Sequence, residues 1–387
     1  MKSGLWPEFF QKPKATWLRS LIVLLVIGWM AFYPIYSSYY KANAVDHYRR
    51  HMEHIRGNSM FFNPWQYRIL CPETIEGLYW VADHTIFAVV EIRGIDLNLP
   101  GDQNDKNTVT QELVKQLKNP EFIKYTLIFV GFRFVQNVVL ILLCYYYFSL
   151  FVRNKLLIVF GLMAATLFMG NSVMDADFTF NTYMDITFYI AAGIVLVTGR
   201  SPLWIIALTI LGALNRETAL FIPVLYFFSR FSWSAWPSIP SLIKNNSRVI
   251  GITAVCAVFF VGIFVAIRMY YGLQSVSTWR VSAGWPMLKL NLFSSVSIKT
   301  YMELFGATGL TIIWSLLIYP KMNKDLKLFF VVLVPIWFIL HFVTAIAYQA
   351  RLFLVPVLLV LLPAVLEHIE RSYTGIPNST PRTGGQI

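Results

Sequence analysis

Uncharged apolar runs of roughly membrane-spanning length recur along the chain, for instance Leu21 to Tyr36 and Val249 to Ala266. Charged residues gather mostly in the connections between them. This alternation predicts an all-α integral membrane protein with about ten transmembrane helices. The runs fall at residues 18–40, 125–151, 156–169, 183–199, 203–214, 218–230, 249–271, 304–320, 328–346 and 352–366. Those at 156–169, 203–214, 218–230 and 352–366 are short for a bilayer core, which implies tilted or locally thinned packing, or paired half-helices.

The polar stretches divide the chain. Residues 1–40 read as a cytoplasmic N-terminus and first transmembrane helix, and 41–124 as an extracytoplasmic loop. A multi-helix transmembrane domain covers 125–370, and a disordered cytoplasmic tail 371–387. Lys2, Lys12, Lys14 and Arg19 precede the first run as they would in a secretory signal, but the run is too long and no small-residue cleavage site follows, so a retained anchor is expected. Within the loop, Leu78 to Val90 is apolar but too short to span and suits a surface-lying helix. Thr108 to Lys118 carries Val109, Leu113 and Leu117 at helical spacing. Short amphipathic helices lying on the outer membrane face are therefore expected here.

Composition sharpens the membrane reading. Of 387 residues 57% are hydrophobic and 13% charged, about half the charged share of a soluble domain. The net charge of +12 is distributed like a topogenic signal rather than a nucleic-acid footprint. With the N-terminus inside, the inner segments hold fifteen Lys/Arg against four Asp/Glu, whereas the loop at 41–124 holds ten against eleven. That bias places both termini in the cytoplasm; the inner (plasma) membrane is the expected location. Cys71, Cys144 and Cys256 are scattered and suggest neither a disulfide framework nor a metal knuckle.

Polar residues that interrupt apolar sequence are costly at membrane depth and need partners or an aqueous cavity. In the predicted topology most of them lie on the outer side. Asp46 follows the first span, where it is either a general base toward an acceptor hydroxyl or a solvated acid beside Arg49 and Arg50. Asp175 and Asp177 suit a divalent cation or a base, and equally a solvated turn that caps the next helix. Asp185 closes that turn. Asn215-Arg216-Glu217-Thr218 breaks otherwise apolar sequence from Leu203 to Phe228; it is either a charge-paired turn or a phosphate site through Arg216. Arg351 marks the membrane boundary or binds phosphate, and Arg68 pairs Glu73 or joins the same face. Arg68, Arg216, Arg280 and Arg351 are distant in sequence yet share one face of the topology. Together with Glu217 they suit a lipid-linked phosphate.

At these residues the chain resembles the C-type (GT-C) membrane glycosyltransferases and related bacterial polysaccharide-assembly proteins. The resemblance lies in layout: a first span followed by Asp46, a long outer loop, many short spans, and Arg351 before a late helix containing Pro356. The segments Asn-Pro-Trp-Gln-Tyr-Arg-Ile-Leu at 63–70 and Leu-Asn-Arg-Glu-Thr-Ala-Leu at 214–220 are similar to segments of uncharacterised bacterial members. The resemblance implies transfer of a sugar from a polyprenyl-phosphate-linked donor to a glycan, lipid or protein acceptor outside the cytoplasm. The base would be Asp46, and Asp175 or Asp177 the second-loop acid. Family members set the first-loop acid among further acids, whereas here Arg49 and Arg50 follow it. Three other functions share the same basic face: a polymerase or ligase using lipid-linked oligosaccharide, a transporter or flippase, and a subunit of a membrane complex. A divalent cation is the one candidate cofactor, and no nucleic-acid partner is expected.

Overall fold

The computed structural model describes residues 16–41, 44–59, 62–97, 108–173, 180–233, 238–275 and 281–374. Among the described residues every regular element is helical. A bilayer cannot hydrogen-bond a spanning backbone, and a helix satisfies its own amides within one segment. In chain order the principal helices are α1 (Thr16–Lys41), α2 (Ala44–Ile55), α3 (Leu70–His84), α4 (Thr108–Leu117), α5 (Pro120–Ser149), α6 (Lys155–Asn171), α7 (Phe180–Thr198) and α8 (Leu203–Asn215). They continue with α9 (Phe221–Arg230), α10 (Ser247–Tyr271), α11 (Trp285–Phe293), α12 (Ser295–Thr308), α13 (Thr311–Ile318) and α14 (Lys324–Thr344). The last is α15 (Ala350–Thr374), whose helical trace includes a 3₁₀ turn and a π-helical turn at Val357–Leu361.

Six of these are long and apolar enough to cross a membrane: α1 over Ser20–Tyr40, α5, α7, α10, α14 and α15. The chain is thus a multi-pass membrane protein, but helix length does not supply ten separate crossings. Of the other four expected spans, α6 and α8 are 17 and 13 residues long. The run at 218–230 is a 3₁₀ turn followed by the ten-residue α9. The run at 304–320 is split between α12 and α13, which meet at 76°. Gly309 makes that bend, at a φ of +59° that side-chain-bearing residues avoid. The pair counts as a seventh crossing only as a single broken span. Hydropathy reports apolar segments whether they face lipid or protein, and here the short ones pack against neighbouring helices.

Burial separates centre from rim. In α15, 89% of the most apolar window is buried, whereas in α10 only 17% is. A helix apolar on every side belongs in the middle when protein surrounds it and at the periphery when lipid does. Helix entries follow the sequence closely. Asn119 caps α5 through its side chain before Pro120, and Asn154 and Asn323 cap α6 and α14 in the same way.

The polar region after α1 folds onto one end of this bundle, with α3 packed against α5, α7 and α8. The helix expected over Leu78 to Val90 is instead divided at Thr85 between Leu70–His84, which begins well before it, and Ile86–Val89, while Thr108–Leu117 falls where the pattern places a helix. Lys124 bonds Asp83 at 2.6 Å, and Tyr79 stacks on Tyr125 with centroids 4.1 Å apart. On α2, His47, His51 and His54 face inward while Arg49 points out.

Candidate functional site

The site begins where α8 stops. Arg216 is extended (φ −157°, ψ 151°), so the helix breaks there and resumes as the turn Glu217–Leu220. Gly212 permits the break, since a Cβ added to it would lie 2.6 Å from the Ala219 Cβ. The break sends adjacent charges to different partners. Arg216 turns inward, 3% exposed, to within 3.6 Å of Asp185 Oδ2 on α7. Thr218 donates its hydroxyl to the same carboxylate oxygen at 2.9 Å, and Tyr189 donates to the Thr218 carbonyl at 2.5 Å. Asn215 donates to the Asn181 carbonyl at 2.8 Å. The Arg216–Asp185 pair is therefore built into the junction of α7 and α8.

Glu217 turns the other way and sits between two guanidiniums. Arg68 and Arg268 each lie 3.3 Å from one of its carboxylate oxygens. Burial alone would push the Glu217 carboxyl up. The charges of Arg68, Arg216 and Arg268, with a backbone hydrogen bond, outweigh it and hold the carboxyl below its usual range. Aromatic faces position the cations. Arg268 lies 3.4 Å from the Phe264 ring centroid and 4.3 Å from that of Tyr67, whose hydroxyl donates to the Gly272 carbonyl at 2.8 Å. Arg68 and Arg351 share the ring of Trp65, at 5.0 and 5.4 Å, within cation–π range. Arg351, 7% exposed, also donates to Gln349 at 3.1 Å and feels the charges of Arg68 and Arg50. Three guanidiniums thus meet two carboxylates, with Arg351 beside them on Trp65.

A cavity adjoins this cluster and shares Trp65 with it. Arg50, His51, Glu53 and His54 of α2 form one wall, and Cys71, Phe180 and Asn181 contribute from α3 and α7. Burial, and then the neighbouring His51, push the His54 imidazole down to about 4, so it is neutral at pH 7.

The structure brings together Arg68, Arg216, Glu217 and Arg351 of the expected site. Arg68 pairs with Glu217 rather than with Glu73. Asp46 stands apart on α2, its carboxylate bonded to Arg49 at 2.5 Å, and it does not line the cavity. Asp175, Asp177 and Arg280 lie outside the described residues. Among the described residues no group of three or more His, Cys, Asp or Glu side chains could hold a metal ion.

Sequence reasoning missed Arg268 and the full weight of Asp185. Both are single charges inside apolar spans, a signal that marks them on its own. It also passed over Arg133, fully buried on α5, which donates to the Ser38 hydroxyl and lies 4.3 Å from the Phe180 centroid. That contact ties α1, α5 and α7 together beneath the site. No protein-family model, curated protein or solved structure matches the chain.

Proposed function

We propose that the chain is a membrane glycosyltransferase that moves a sugar from a polyprenyl-phosphate-linked donor to a glycan, lipid or protein acceptor. One observation carries this reading: Arg68, Arg216, Arg268 and Arg351 converge at one end of a membrane bundle, with Asp185 and Glu217 as the carboxylates beside them among the described residues. An excess of buried guanidinium charge beside a cavity suits an anionic group presented from the membrane. Guanidinium forks match phosphate oxygens geometrically. The GT-C resemblance supplies the reaction class, and the positive-inside bias supports an extracytoplasmic site in the plasma membrane.

In this reading the acceptor oxygen attacks the anomeric carbon opposite the lipid phosphate. The carbon–oxygen bond to phosphate breaks, and its electron pair leaves with the phosphate. Arg351 and Arg68, held on the Trp65 ring, stabilise the charge that grows there. Arg216 is paired with Asp185, and Arg268 shares Glu217 with Arg68, so Arg216 and Arg268 add to the field around the phosphate. Confinement of the cluster to one end favours transfer at a membrane surface over passage through the bundle.

The test is binding of a polyprenyl phosphate by the purified protein in nanodiscs, followed by transfer from radiolabelled polyprenyl-phosphoryl-hexoses in native membranes. Arg351→Ala is expected to weaken binding and abolish transfer while the protein stays folded. Full activity of that variant would remove the phosphate role. Movement of labelled lipid across vesicles without a new glycosidic bond would replace the reading with a flippase.

A further inference from the structure

Next to the guanidinium cluster lies a pair that the resemblance does not use. His51 Nε2 is 2.7 Å from Glu76 Oε1, and the Tyr125 hydroxyl donates to both Glu76 oxygens at 3.0 and 3.2 Å. The imidazole is packed against Tyr125 and Phe129, with centroids 5.4 and 5.2 Å away, and its side chain is 1% exposed. Burial pushes the Glu76 carboxyl up, but the hydrogen bond and charge interaction with His51, and then the hydrogen bond from Tyr125, outweigh it and hold it below its usual range. An ionised carboxylate only accepts. Nε2 therefore carries a proton, and in the neutral imidazole the lone pair sits on Nδ1. His51 lines the cavity that shares Trp65 with the arginines. Asp46 has none of these properties, since Arg49 holds its carboxylate and it lies outside the cavity wall.

We infer that the cavity receives the acceptor hydroxyl and that His51, oriented by Glu76, takes its proton, in place of Asp46. The inference rests on the glycosyl-transfer reading. As the acceptor oxygen bonds to the anomeric carbon, its proton passes to His51 Nδ1, and the lipid phosphate departs with the electron pair of the broken bond. Glu76, now facing an imidazolium, stabilises the charge formed. Glu76 is a positioning residue. The other titratable or charged groups around the ring are Tyr125 on α5, Cys71 on α3, and Arg50, Glu53 and His54 on α2.

The experiment uses the full chain in nanodiscs for polyprenyl phosphate binding and native membranes for transfer from radiolabelled polyprenyl-phosphoryl-hexoses. His51→Gln is expected to lower kcat by roughly 10²–10⁴-fold, the span of general-base catalysis, with polyprenyl phosphate binding unchanged. His51→Ala is expected to regain transfer when imidazole is added, which a merely structural role would not produce. In histidine-labelled protein, nitrogen NMR is expected to report the Nε2-protonated tautomer of His51 and its loss in Glu76→Gln. Wild-type transfer that persists in His51→Gln but vanishes in Asp46→Asn overturns this inference and leaves the phosphate reading intact. Absence of polyprenyl phosphate binding by the wild type overturns both.

Discussion

The two ends of the helix bundle use charge in opposite ways. At one end several charges are spent on nearby backbone groups or on each other. Glu370 accepts from the backbone amides of Arg153 and Asn154 at 2.6–2.9 Å. Arg371 bonds Glu367 at 2.5 Å and the Lys321 carbonyl at 2.8 Å, while Glu367 accepts from the Asn323 amide. Arg230 reaches the Leu196 carbonyl at 2.7 Å. These contacts close helix ends that would otherwise leave amides and carbonyls unbonded. At the other end the guanidiniums come from four separated stretches of chain, three of them lie on aromatic faces, and among the described residues they outnumber the carboxylates beside them. Charge spent on backbone serves the fold. Charge gathered in a buried cluster is what the proposed phosphate ligand would meet.

Several variants can break or sharpen this contrast. The largest stability effect is expected from Arg216→Ala, which strands Asp185 at 0% exposure; loss of one partner of a buried pair costs about 3–5 kcal/mol. Denaturant titration in detergent measures it, and combining Asp185→Asn with Arg216→Ala should recover part of the loss. A smaller change would mean that the pair does not hold α7 to α8.

Arg351→Ala comes next and acts on ligand rather than fold. One charge-assisted hydrogen-bonding group contributes about 1.5–3 kcal/mol, so polyprenyl phosphate should bind roughly 10- to 150-fold more weakly. Arg351→Lys should fall between, because an ammonium lacks the planar fork. Equal binding by all three proteins would place the phosphate elsewhere.

A third effect depends on pH. The Glu217 carboxyl is held below the ordinary glutamate value of 4.5, so the folded state favours its ionised form. Its stabilising contribution is complete above that value and fades as pH falls through the lower folded value. Acid titration of stability should therefore show a loss below about pH 4.5 that Glu217→Gln reduces, with the neutral-pH plateau flat in both proteins. At the opposite end, Glu370→Gln should have the smallest effect, about 1 kcal/mol in stability, with polyprenyl phosphate binding untouched. Weakened binding in that variant would end the distinction between the two ends.

Much of the architecture was legible in the chain, and the reasons differ from element to element. Long uncharged runs such as Val249 to Ala266 can only be helices in lipid, and side-chain caps at Asn119, Asn154 and Asn323 mark where three of the helices begin. The segment Leu203 to Phe228 was legible only in part. Its interruption at Arg216 and Glu217 is plain, but whether 203–214 crosses alone depends on what packs beside it. The site was half visible for a related reason. Arg68 lies 149 residues from Glu217, and no local pattern prefers that partner to Glu73.

By itself, then, the sequence determined the solvent of each segment: which stretches face an apolar medium, where helices start, and that rare charges in apolar runs need company. These follow from transfer energies and backbone satisfaction, which act over a few neighbouring residues. Only the tertiary structure decided which charges keep company. Arg216 turns to Asp185 and Glu217 to Arg68 and Arg268 because a broken helix rotates adjacent residues toward different neighbours. Asp46 and His51 likewise share one short helix, yet only His51 lines the cavity. Such pairings depend on the packing and rotation of whole helices, a non-local property that local periodicity does not encode.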